Sequence, residues 1–251
     1  MRTLKLLTIS LLFPVLVVAQ GTASSSTGQE TALARLSEVL PQDVAQKVKD
    51  IVTDATNRGL PGLAIANRAL EGVAKGRSGE AVRAAAEAFA RDLAGSRGAF
   101  TQAGRVPDPS ELEAGAIAMG LGVDGQTISD VARDADRSRP LAVAVAVLGA
   151  LVDAGLPVSI ARDAVLKRFN DGADNTDLVE MPGEAGRMIA EGMRPSEVGL
   201  ALASQRSGMS LPAGPPANVP RGDGPPPNVP RNDGRPGERP QPPVQPPVPT
   251  P

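Results

Sequence analysis

The chain has 251 residues and a formal net charge of −2, and it contains no His, Cys, Trp or Tyr. Those absences remove the imidazole general base, the thiolate nucleophile, the usual nitrogen and sulfur ligands of transition metals, and every disulfide. The near-balanced charge predicts no attraction to nucleic acid or to an anionic membrane surface.

The first residues have the layout of a secretory signal. Arg2 and Lys5 form a positive start, Leu6 to Val18 an apolar stretch broken by Thr8, Ser10 and Pro14, and Val17-Val18-Ala19 a run of compact side chains before a polar flank. This predicts a signal peptide over 1–19 cleaved after Ala19, with Ala23 as the second choice. The apolar stretch is shorter than the roughly 20 residues a bilayer span needs, so no membrane span is expected after cleavage. Loss of Arg2 and Lys5 takes the net charge from −2 to −4. No lipid-modifiable Cys follows, and an exported body without disulfides must rest on apolar packing.

A short polar linker is expected over 20–28, followed by an all-α body over 29–206. Val44, Val48, Ile51, Val52 and Ala55 recur at helical spacing, as do Val82, Ala85, Ala86, Phe89 and Leu93. Arg83, Glu87 and Arg91 share the opposite face of the second segment, four residues apart, which reads as a wet face with intrahelical ion pairs. Leu141 to Val152 is uncharged and Ala/Val-rich. Pro140 before it, Gly155 after it and the length between them favour a buried central helix over a strand.

The tripeptide Gly-Leu-Pro occurs at 59–61 and again at 155–157, with looser versions at Gly120-Leu121 and Gly192-Met193-Arg194-Pro195. Glycine in the left-handed conformation ends a helix, the apolar residue folds back on its last turn, and Pro suits the first turn of the next helix. The body is therefore expected to be helical hairpins joined by such corners, at 59, 76, 120, 155, 172 and 192. Gly95, Gly98, Pro107 and Pro109 read as an irregular loop. The hairpins form either two packed lobes, 29–94 and 110–206, related by an old duplication, or an irregular α-solenoid.

No catalytic, cofactor-binding or metal-binding residue stands out. Gly76-Arg77-Ser78-Gly79 lacks the spacing of a nucleophile elbow. Asp171 to Glu180 is the densest acidic run, but Ala173 and Thr176 occupy places where a calcium loop needs a ligand and a glycine. It reads instead as a turn in which Gly172 ends one helix and an Asp or Asn caps the next. Hydrolysis by a carboxylate pair is chemically open, yet the body offers only Phe89, Phe100 and Phe169 as aromatic platforms, and the first and last fall at core positions.

From 207 to 251 the chain is Pro-rich, with 16 Pro after Gly208 and a tandem repeat, PPANVPRGDG and PPPNVPRNDG. Such a segment buries too little to offset its ordering entropy, so a disordered tail of polyproline II character is expected. Arg221-Gly222-Asp223 becomes Arg231-Asn232-Asp233 in the second copy and reads as repeat drift. The expected function is an exported, periplasmic or extracellular, non-enzymatic binding or structural module with a spacer tail. Its partner would be an unidentified protein or cell-envelope component. The alternative is a cell-envelope hydrolase using Asp and Glu alone.

Overall fold

A computed structural model describes residues 24–204; the expected signal, its cleavage sites, the first residues of the linker and the Pro-rich tail lie outside them. The described residues form ten α-helices and no strand: α1 Ser24–Val39, α2 Gln42–Asn57, α3 Gly62–Ala74, α4 Gly79–Gln102, α5 Pro109–Gly120, α6 Gly125–Asp134, α7 Ala142–Asp153, α8 Val158–Asn170, α9 Asn175–Ala190 and α10 Pro195–Ser204. The all-α hairpin architecture is as the sequence predicts. The linker expectation is corrected at one point, because Ser24 to Gly28 already belong to α1.

Two corners illustrate how the hairpins close. At Gly155 the φ angle is 100°, its amide bonds to Val152 O at 3.0 Å, and the Leu156 amide reaches back to Leu151 O at 3.0 Å. Gly59 does the same with φ 73°, bonding to Thr56 O, while Leu60 bonds to Ala55 O. These paired bonds satisfy carbonyls that a helix end leaves open, and they fold Leu156 and Leu60 into the core, where each is buried. The expected corners at 76, 172 and 192 close in the same manner, whereas the one placed at 120 belongs to Gly122, with Gly120 the last residue of α5.

The expected loop around Gly95 and Gly98 is also corrected. Helix α4 runs unbroken to Gln102, because Leu93, Ser96, Ala99 and Phe100 continue its buried stripe. Each glycine costs a helix about 1 kcal/mol, which that packing exceeds. Gly95 has a packing reason as well: a Cβ there would sit 3.1 Å from Met119 Sδ. The corner that ends α4 falls later, at Gly104.

The hairpins stack in two layers. Odd-numbered helices pack side by side as α1 on α3 and as α5 on α7 on α9, and even-numbered helices as α2, α4, α6, α8 and α10 in succession. A regular register underlies the second half: α5, α7 and α9 begin at 109, 142 and 175, each 33 residues after the last. Helix α7 lies between α5 and α9, and from Leu141 to Val152 none of its residues is exposed, as expected for a buried central helix. Its approach to α5 is close, since a Cβ on Gly149 would lie 2.9 Å from Ala118 Cα.

The buried apolar residues fall into two clusters. One gathers α1 to α3 with the first half of α4, plus Leu112 and Ala116; the other runs from Ala99 and Phe100 to Leu202 and includes Ala114 and Ala118. The division therefore passes through α4 and α5 rather than through a connecting loop. Phe89, Phe100 and Phe169 are all buried.

Candidate functional site

An open groove of about 670 Å³ lies between α1 and α3. One wall is Thr27, Gly28, Thr31, Ala32 and Arg35 on α1, and the other is Leu63, Asn67 and Leu70 on α3. Helical spacing accounts for this lining: Thr27, Thr31 and Arg35 recur every four residues along α1, and Leu63, Asn67 and Leu70 follow one another at four and three along α3. The groove holds no carboxylate. Among the described residues its surface is apolar and neutral-polar, with the Arg35 guanidinium as its one charge, and Arg35 has no hydrogen bond or ion pair there.

A smaller groove, about 330 Å³, lies between α2 and α4 and is lined by Ile51, Asp54, Arg58, Glu87, Ala90, Arg91 and Ala94. It contains two carboxylates, but each has a cation. Asp54 pairs with Arg58 at 2.9 Å and Glu87 with Arg83, so neither stands as a protonated acid beside a free base.

The acidic run resolves into helix-end chemistry. Gly172 closes α8, the Asp174 carboxylate accepts the Asp177 amide at 2.8 Å as the N-cap of α9, and Asp171 pairs with Lys167 at 2.8 Å. Ser78 has the equivalent place on α4, its hydroxyl accepting the Ala81 amide. Among the described residues, no group of three or more Asp and Glu has a geometry suited to a metal ion.

Polar side chains, from the buried Glu111 to the exposed Arg137 and Asn170, gather instead around the connector between α6 and α7. Glu111 is buried; one carboxylate oxygen accepts the Asp108 amide at 3.0 Å, closing a capping box, and the other accepts the Leu141 amide at 2.8 Å. Arg105 donates to Arg139 O at 3.0 Å, Arg137 to Ala103 O at 3.3 Å and Arg139 to Phe169 O at 2.6 Å. Asn170 receives the Asp136 amide and donates to Asp134 O. Every one of these contacts ends on main chain, so the cluster is a clamp on the connector and the helix ends beside it. Sequence reading missed it, because each partner lies 30 to 36 residues away.

Burial pushes two carboxyls above their ordinary range, Asp92 on α4 and Glu113 on α5. Ion pairing acts the other way on Glu71, which hydrogen bonds from Lys75 and Arg68 hold low, and on Glu197, held low by Arg194. Comparison with protein-family models, curated proteins and solved structures finds no match for this chain.

Proposed function

We propose that this chain is an exported, non-enzymatic binding module whose stacked helical hairpins present the α1–α3 groove to an extended or helical segment of a protein or cell-envelope component. The groove carries the reading: it is open, floored by Leu63 and Leu70, edged by Thr27, Thr31 and Asn67, and free of carboxylates. The carboxylates of the α2–α4 groove are each neutralised by an arginine, which favours binding over hydrolysis. The signal-like layout of residues 1–19 supports export, and the Pro-rich segment from 207 supports a spacer role.

The test is capture from an envelope fraction by the full chain, by a chain ending at Ser207 and by Thr31→Arg, which fills the groove from an exposed position. Capture should survive the truncation and fail with Thr31→Arg. Capture lost on truncation and indifferent to Thr31→Arg would move binding to the tail. Release of reducing ends from envelope polysaccharide, abolished by Asp54→Asn, would replace binding with hydrolysis.

A further inference from the structure

The 33-residue register brings three stripes together on the outer side of the odd-numbered layer. Glu113, Ile117 and Gly120 on α5 correspond to Ala146, Ala150 and Asp153 on α7 and to Val179, Gly183 and Gly186 on α9. Helical geometry puts each trio on one side of its helix, and none of the nine is buried. Ile117 is 40% and Val179 62% exposed, one on each side of a helix as apolar as α7.

Among the described residues, every ion pair lies on or at the ends of α2, α3, α4, α6, α8 and α10, and none on α5, α7 or α9. The charges beside the stripes on α5 and α7 are acidic, and Arg187 stands one turn beyond Gly183 on α9. Glu113 has neither a hydrogen bond nor an ion pair, Asp153 ends α7, and a carboxylate oxygen of Asp92 lies 4.0 Å from where a Cβ on Gly120 would be. Partial burial without a counter-charge leaves Glu113 an unmet demand for a cation, and an incoming cation would meet it.

We propose that the α5–α7–α9 face is a docking surface for a basic amphipathic helix, its apolar side lying over Ile117, Ala146, Ala150 and Val179 and a Lys or Arg reaching Glu113. The surface suits a helix: the small residues Ala146, Ala150 and Gly183 permit close approach, while Ile117 and Val179 flank them as apolar walls. None of these residues lines the α1–α3 groove.

The test measures binding of two fluorescent 14-residue Leu/Ala helices to the full chain, one with a central Lys and the other with Glu in its place. The Lys peptide should bind roughly tenfold more tightly. Glu113→Gln should bring the two close to equal, Val179→Lys should abolish binding of both, and the groove variant Thr31→Arg should change neither. Equal affinity of the two peptides for the parent chain, a preference that survives Glu113→Gln, or binding lost through Thr31→Arg would overturn the proposal. So would adsorption of the chain to neutral phosphatidylcholine vesicles that Val179→Lys removes, since it would assign the face to a lipid surface.

Discussion

The Arg139 guanidinium lies 4.1 Å from the centroid of the Phe169 ring and at the same time donates to the Phe169 carbonyl at 2.6 Å. One side chain thus covers a buried aromatic ring, bonds a carbonyl in the last turn of α8, and through its second nitrogen bonds Ala173 O at the start of the next turn. A cation at a helix C-terminus also meets the negative end of the helix dipole. The connector carrying Arg139 is in turn held by Arg105, so the clamp couples the ends of α4 and α8.

Arg139→Ala should lower stability by about 1.5 kcal/mol, since it removes charge-assisted bonds and the ring contact together. Arg139→Lys should recover less than half, because an ammonium cannot span two carbonyls with one planar fork. Chemical denaturation of the three chains checks this. Equal midpoints for parent and Arg139→Ala would mean the clamp contributes nothing.

Gly155 and Gly149 should both resist substitution, for different reasons. Gly155 has φ 100° with open space where a Cβ would go, so Gly155→Val should cost at least about 1 kcal/mol through backbone strain alone. Gly149 lies within an α-helix but against Ala118, so Gly149→Val should cost about 2 kcal/mol through displacement of α5. The additional Ala118→Gly change should relieve part of the second penalty and none of the first. Relief of both, or of neither, would show that the two positions are not distinguished in this way.

Glu113 links stability to pH. Its folded pKa is raised by burial, so between its unfolded and folded values the native state holds more protons, and stability falls as pH rises through that window. Glu113→Gln removes the ionised form and should raise the unfolding midpoint at pH 7 while leaving it unchanged at pH 3, below both values. A midpoint lowered at pH 7 would mean that the carboxylate has a stabilising partner.

The acidic turn should behave as a helix cap. Asp174→Ala removes the bond to the Asp177 amide and should cost about 1 kcal/mol, with or without calcium. Millimolar calcium should leave the thermal midpoint of the parent chain where it is. An upward shift that Asp174→Ala abolishes would make the turn an ion site, since a ligand that binds only the folded state raises stability by mass action.

Local signals were legible in the sequence wherever a residue acts on its immediate neighbours. Gly59 and Gly155 end helices because their own φ is positive, and α7 could be read from Pro140, Gly155 and an uncharged run of helical length. The 33-residue register could not be read so easily. It is carried by burial patterns that differ in residue type, such as Val145 with Leu178 and Leu148 with Met181, and α9 blurs it by running four residues longer than α7 before Gly192. The identical tripeptides 96 residues apart point instead to a coarser duplication. The arginine clamp and the α5–α7–α9 face have no local signature, because they depend on which helices stack side by side.

The same register shows how the stack ends among the described residues. Ala118 packs against α7, and its counterpart one hairpin later is Leu151, fully buried, with Val147 buried one turn before it. A further 33 residues on, these two positions are Glu180 and Glu184, neither of them buried. Stacked repeats must finish on a polar face, because an apolar one would recruit another hairpin. Glu180→Val with Glu184→Leu should rebuild the interior pattern on that end and shift the chain to larger species in light scattering, with the helical far-UV signal retained. Single Glu180→Gln and Glu184→Gln changes should not, because they leave the end polar. An unchanged mass for the apolar double variant would mean that this side of α9 is not an open end of the stack.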